Sequence, residues 1–157
     1  PDLLIADEPV SALDVSVQAA IVNLLAELRA GSDMALILIS HDLALVRHMA
    51  DQVAVMYLGR VVEYGPADSV FAPPFHPYTR ALRAAAPRPD PDAPPPAITL
   101  GGSMPSPTAE LRGCPFASRC PRRLGALCDD VAPPERTLGP LRIACHIDFA
   151  AEPLGSD

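Results

Sequence analysis

Apolar positions fall into short runs and helical periods over the first 86 residues. Leu3-Leu4-Ile5-Ala6 is an apolar run of strand length that stops abruptly at Asp7-Glu8-Pro9. That pattern predicts a buried parallel strand delivering carboxylates to its C-terminal edge, where open α/β sheets place their ligands. After Asp14 the residues Val17, Ile21, Leu24, Leu25 and Leu28 recur at helical spacing, with Asn23, Glu27 and Arg29 on the other side. Asp14 stands where an N-cap acid satisfies free backbone N–H groups, and Gly31 where helices commonly stop. A second apolar run, Ala35 to Ile39, again ends in polar residues, Ser40-His41-Asp42. Two strands with one helix between them make a β-α-β unit, so both polar ends lie on one sheet edge. Leu43, Leu45, Val46 and Met49 predict a second helix, capped by Asp42. Val53 to Tyr57, a Leu58-Gly59 turn and Arg60 to Tyr64 predict a hairpin closed by Gly65-Pro66. A short helix is expected over 67–71, and Pro77 opens another through Tyr78, Leu82 and Ala86.

Proline marks where this order ends. The 157 residues include 20 prolines, concentrated after Ala72, and the stretch from Pro87 to Pro96 with Asp90 and Asp92 reads as a stiff solvated linker. The expected division is an α/β portion over 1–86, a linker over 87–97 and a cysteine-bearing module over 98–157. That module is expected to be mostly irregular, with a short strand at Ile98 to Leu100 and a turn at Met104 to Pro107. The formal net charge of -7 opposes a nucleic-acid partner, which requires a basic face to neutralise phosphates. Arg112, Arg119, Arg122 and Arg123 are the local exception. No apolar run approaches the roughly 18 residues that span a bilayer, and no charged-then-apolar leader occurs. Membrane association is therefore expected to run through protein partners.

The paired acids carry the first candidate chemistry. In nucleoside triphosphatases one acid of such a pair helps to hold the Mg²⁺ that bridges the terminal phosphates, and its neighbour positions or deprotonates the attacking water. Asp7 takes the first role and Glu8 the second; the plainer alternative is a strand end with a solvated turn. His41, on the same edge, is placed to contact a phosphate held there, although a histidine in that position also serves as a cap or a loop residue. The run LLIADEPVSALD, Leu3 to Asp14, resembles the Walker B strand and D-loop of ATP-binding cassette (ABC) ATPases, and Ser40-His41-Asp42 resembles their switch histidine. This resemblance implies that Ser11 and Asp14 belong to a D-loop reaching across a head-to-tail dimer toward the partner's nucleotide. As a bare residue, Asp14 is a helix cap. It also implies that the Arg60 to Gly65 hairpin is scaffold.

Asp68-Ser69-Val70-Phe71 followed by His76-Pro77-Tyr78-Thr79-Arg80-Ala81-Leu82 resembles the ABC subfamily that energises uptake of dipeptides, oligopeptides and, in some members, nickel. His76 itself reads as structural, because no second metal ligand lies at helical spacing from it. Neither a G-x-x-x-x-G-K-[ST] phosphate loop nor the family's Leu-Ser-Gly-Gly-Gln signature occurs in the sequence. The chain is accordingly expected to be the C-terminal part of a longer subunit, with little or no ATPase activity in isolation.

Cys114, Cys120, Cys128 and Cys145 are the only cysteines, with five, seven and sixteen residues between successive members. The resemblance implies a reducing compartment, where gathered thiols point to a metal centre rather than disulfides. A Pro-rich segment with few large apolar residues also gains from a metal cross-link. Zinc sites usually show close C-x₂₋₄-C knuckles, and none is present. Widely spaced thiolates suit an iron–sulfur cluster at least as well. Four free thiols are the remaining alternative, and His146 is a substitute ligand for Cys145. Gly113-Cys114-Pro115-Phe116, Arg119-Cys120-Pro121, Cys128 and Ala144-Cys145-His146 resemble the C-terminal extension of the peptide-transport ATPases, which implies a four-iron, four-sulfur cluster.

The expected whole is α/β: the C-terminal part of a P-loop ATPase core followed by the cysteine module. The resemblance implies an ATP-hydrolysing subunit, with ATP and Mg²⁺ as cofactors, of an importer of di- or oligopeptides. It implies as partners a second ATPase subunit, membrane permease subunits and, indirectly, a solute-binding protein. The implied location is peripheral, on the cytoplasmic face of the membrane. The competing readings are a non-transport ABC ATPase acting on nucleic acid, and a metal-binding or redox module beside a non-functional ATPase remnant.

Overall fold

The structure, a computed structural model, describes residues 1–86, 101 and 112–149. The linker expected over 87–97, the strand at 98–100 and the turn at 104–107 lie outside the described residues. Two compact units are present, Pro1–Ala50 and Asp51–Asp157.

The first unit follows the predicted order: β1 (Leu3–Asp7), α1 (Val15–Ala30), β2 (Ala35–Ile39) and α2 (Leu43–Met49). β1 and β2 pair in parallel, from Leu3 opposite Ala35 to Asp7 opposite Ile39. A mixed α/β class with a parallel pair and covering helices is thus what the chain adopts. Both caps form as the sequence predicts. The Asp14 carboxylate accepts the Val17 N–H at 3.0 Å, and that of Asp42 accepts Ala44 and Leu45 at 2.8 and 3.2 Å. The Gly31 N–H closes α1 on the Glu27 carbonyl at 2.9 Å. Val10, Leu45 and Met49 form the core, with Ile21, Val22, Leu25, Ala26, Leu36 and Leu38 packed on it.

Two expectations need correcting. The packed face of α1 runs through Ile21, Val22, Leu25 and Ala26, whereas Val17, Leu24 and Leu28 are exposed. The apolar positions cover more than one stripe, and the core touches only the stripe turned toward the sheet. Nor are the strands buried on both faces. Leu4, Leu36 and Leu38 are half-buried, while Leu3, Ile5, Ile37 and Ile39 on the opposite face are 47–59% exposed. Side chains alternate across a strand, and only one face of this two-stranded sheet is covered by α1 and α2.

The second unit is built on an antiparallel sheet of order β3-β4-β6-β5, with β3 at Gln52–Tyr57, β4 at Arg60–Pro66, β5 at Glu135–Leu138 and β6 at Leu141–Ala144. The β3–β4 turn is the predicted one, and its residues Leu58 and Gly59 take φ values of +46° and +75°, as a tight hairpin of this twist requires. α3 (Ala67–Val70) and α4 (Pro77–Ala85) follow the hairpin. The cysteine region is more regular than expected: a 3₁₀ turn at Ala117–Arg119, α5 (Ala126–Asp130) and the β5–β6 hairpin. β6 pairs with β4, setting Ile143 opposite Glu63 and Arg142 opposite Tyr64, so the cysteine region extends the hairpin sheet.

Candidate functional site

The edge predicted to carry chemistry is assembled by the last residues of the two parallel strands. Asp7 ends β1, and the Glu8 N–H continues the ladder by one bond to the Ile39 carbonyl at 2.9 Å. The chain then turns away through Glu8 itself, whose φ of +47° lies in the left-handed region that side chains rarely adopt. The Ser11 hydroxyl donates to the Glu8 carbonyl at 3.1 Å and steadies that turn. Gln18 of α1 donates from its amide to the carbonyls of Val10 and Leu13, both at 3.0 Å, fixing the turn to the helix.

Across this edge His41 Nδ1 lies 2.9 Å from Glu8 Oε1. The hydrogen bond and the charge of Glu8 raise the His41 pKa above its ordinary value. His41 is 78% exposed and Glu8 39%, so the pair opens onto solvent and is accessible to a ligand. Asp14 stands apart as the α1 cap; bonds from the Ser16 hydroxyl and the Val17 N–H hold its carboxyl below the usual range. Of the five residues expected at the nucleotide edge, the structure joins Glu8 to His41 by their side chains and Ser11 to the Glu8 backbone. Asp7 is the adjacent exposed strand end.

The four cysteines come from separate segments. Cys114 precedes the 3₁₀ turn, Cys120 follows it, Cys128 lies in α5 and Cys145 follows β6. Their thiols lie within electrostatic reach of one another in every pairing. Burial pushes the Cys114 and Cys120 thiols up, and that of Cys145 up to about 11. Backbone contact closes the cluster: the Cys114 N–H donates to the Cys128 carbonyl at 2.8 Å. A Cβ on Gly113 would lie 2.2 Å from that carbonyl oxygen, so only glycine fits there. The expected metal centre is not formed by the side chains as they stand. Among the described residues no three His, Cys, Asp or Glu are arranged to hold a metal ion. His146 bonds the Val131 carbonyl at 2.9 Å instead.

One buried acid carried no expectation. Glu63, fully buried, accepts the His76 backbone N–H at 2.9 Å and the Thr79 hydroxyl. No local pattern in the sequence marks it, because its inward turn depends on the irregularity between Val55 and Met56. His76 is structural, as expected: it is 1% exposed, and its Nδ1 accepts the Tyr78 N–H at 3.1 Å.

Residues 62–128 match the family model of the oligopeptide/dipeptide transporter C-terminal region. A probable peptide ABC transporter ATP-binding protein of Sinorhizobium fredii is 52% identical over 94% of the chain and 42% of its own length. The dipeptide transport ATP-binding protein of Escherichia coli is 49% identical over 92% of the chain and 43% of its own. Over more than nine tenths of its length the chain is similar to peptide ABC transporter ATP-binding proteins. A di/tripeptide transport ATP-binding protein of Pseudomonas aeruginosa is 48% identical over 93% of the chain and 45% of its own length. The chain thus spans somewhat over two fifths of these ABC relatives. Among the described residues no helix is long and apolar enough to cross a membrane.

Proposed function

We propose that the chain works as part of the ATP-binding and ATP-hydrolysing subunit of an ABC importer of di- or oligopeptides. The pairing of Glu8 with His41 at the open end of a parallel strand pair carries this reading, and the identity to peptide transport ATP-binding proteins supports it. In the proposed site Asp7 helps to hold Mg²⁺, Glu8 orients and deprotonates the attacking water, and His41 contacts the terminal phosphate. Mg-ATP supplies the phosphoryl group and its charge. This chain contributes an acid whose backbone turn aims it out of the sheet and an imidazole held against that acid. Ser11 steadies the turn, and Asp14, capping α1, places the loop that faces a second ATPase subunit. Membrane permease subunits are the proposed direct partners, a solute-binding protein an indirect one, and the cytoplasmic membrane face the proposed location. In functional terms, 1–86 is ATPase core, 87–97 linker and 98–157 cysteine module.

The quartet Cys114, Cys120, Cys128 and Cys145 is proposed to hold a four-iron, four-sulfur cluster, with zinc as the second reading. The support is the convergence of four thiols from separate segments on one partly buried spot. Such a cluster would supply a charged cross-link among segments with few large apolar side chains.

The test is a chimera in which this chain replaces its matched segment in the E. coli dipeptide transport ATP-binding protein. Dipeptide uptake is expected to be restored, and to fall by about two orders of magnitude or more with Glu8→Gln, the scale of a lost general base. Uptake unaffected by Glu8→Gln would remove Glu8 from the chemistry.

A further inference from the structure

Away from the nucleotide edge, one helix end in the second unit is held by a buried acid. Glu63 of β4 is 0% exposed, His76 1% and Thr79 2%. Glu63 Oε2 accepts both the His76 backbone N–H and the Thr79 hydroxyl, the N-cap and third positions of α4. A residue from a distant strand thus satisfies donors that local side chains usually cap. Phe116, fully buried ahead of the 3₁₀ turn, rests on the same place: its ring centroid lies 6.0 Å from His76, 5.3 Å from Tyr78 and 5.2 Å from Tyr57. Glu63 Oε1 and His76 Nε2 are buried with no hydrogen-bond partner among the described residues. The unbonded Oε1 is the natural seat of a carboxyl proton, since Oε2 already accepts two donors.

We propose that the Glu63 carboxyl is a proton-operated latch: protonated, it holds the first turn of α4 and the rings seated on Phe116; ionised, it is drawn toward water and releases them. The surroundings favour the neutral form more than water does. Burial raises the Glu63 pKa to about 7, and the bonds from Thr79 and His76 and the charge of Arg83 on α4 offset this only in part. The His76 imidazole on α4 is itself neutral, since burial lowers it to about 4. β3 contributes the Tyr57 phenol and the apolar Val55, β6 the apolar Ile143, and the residue ahead of the 3₁₀ turn Phe116, so among the described residues Arg83 is the one charge that opposes the effect of burial. Because the folded pKa lies above the unfolded one, the latch's stabilisation is complete below the unfolded pKa and is lost as pH rises through 7.

Backbone amide exchange of α4 in the full chain between pH 5.5 and 8.5, corrected for the intrinsic pH dependence of exchange, tests this. Protection of the α4 amides is expected to fall about tenfold or more between pH 5.5 and 7 and to level off above 7 in the native sequence, and to be flat in Glu63→Gln. A flat profile in the native chain, or an unchanged one in Glu63→Gln, overturns the latch. Carbon-13 titration of the Glu63 carboxyl in the native chain requires no variant. A midpoint near 7, where α4 protection levels off, supports the proposal, and a midpoint below about 5 refutes it.

Discussion

The imidazole of His41 and the carboxylate of Glu8 meet because two strand ends lie in register, Glu8 one residue and His41 two residues past the last ladder pair. Their partnership has a spectroscopic consequence. His41 is expected to titrate above the ordinary histidine value of about 6.5 in an NMR pH series, and Glu8→Gln should return it toward that value. A His41 midpoint that does not move in the variant would mean the pair does not form in solution. Glu63 shows what a residue-level reading misses. In an uninterrupted hairpin, pairing Tyr57 with Arg60 and Met56 with Val61 would put Glu63 opposite the exposed Ala54. The bulge between Val55 and Met56 inserts one residue and sets Glu63 opposite the buried Val55 instead. A single extra residue therefore turns a surface acid inward, and no local pattern in the sequence announces it.

The elements of the first unit were legible because each carries its own punctuation: an acid at each helix start, glycine after α1, polar residues after each apolar strand. Which stripe of α1 packs was not, since its apolar positions are too many to single out one face. That difference is measurable. Leu25→Ala is expected to cost about 2 kcal/mol of stability in denaturant unfolding, because it removes side-chain contact with the core, whereas the exposed Leu24→Ala should stay within about 0.5 kcal/mol. Equal losses would restore the stripe that periodicity alone selects. The β5–β6 hairpin had a signal too, Gly139-Pro140 between two short alternating stretches, with Gly139 at φ +59°. The surrounding proline and cysteine content obscured it.

Across the molecule, the largest difference from expectation is where the cysteine region attaches. The linker and module boundaries were read from composition, which reports where proline accumulates but not which strands meet. β6 adds to β4, and Phe116 sits among Tyr57, His76 and Tyr78, so the cysteine region joins the hairpin through the sheet and joins both the hairpin and α4 through the ring cluster. Such joining makes the cysteines' environment depend on contacts far from them in sequence. Phe116→Ala removes the fully buried ring and is expected to cost about 3–4 kcal/mol. The effect should spread in two directions at once. Amide protection in β3, β4 and α4 should fall, and the four thiols should react faster with a thiol reagent in the metal-free chain, by a similar factor. If the thiols quicken while the hairpin amides keep their protection, the cysteine region opens as a body of its own and the shared sheet does not bind the two into one cooperative piece. If both move together, the cysteine region and the hairpin beside it fold and open as one.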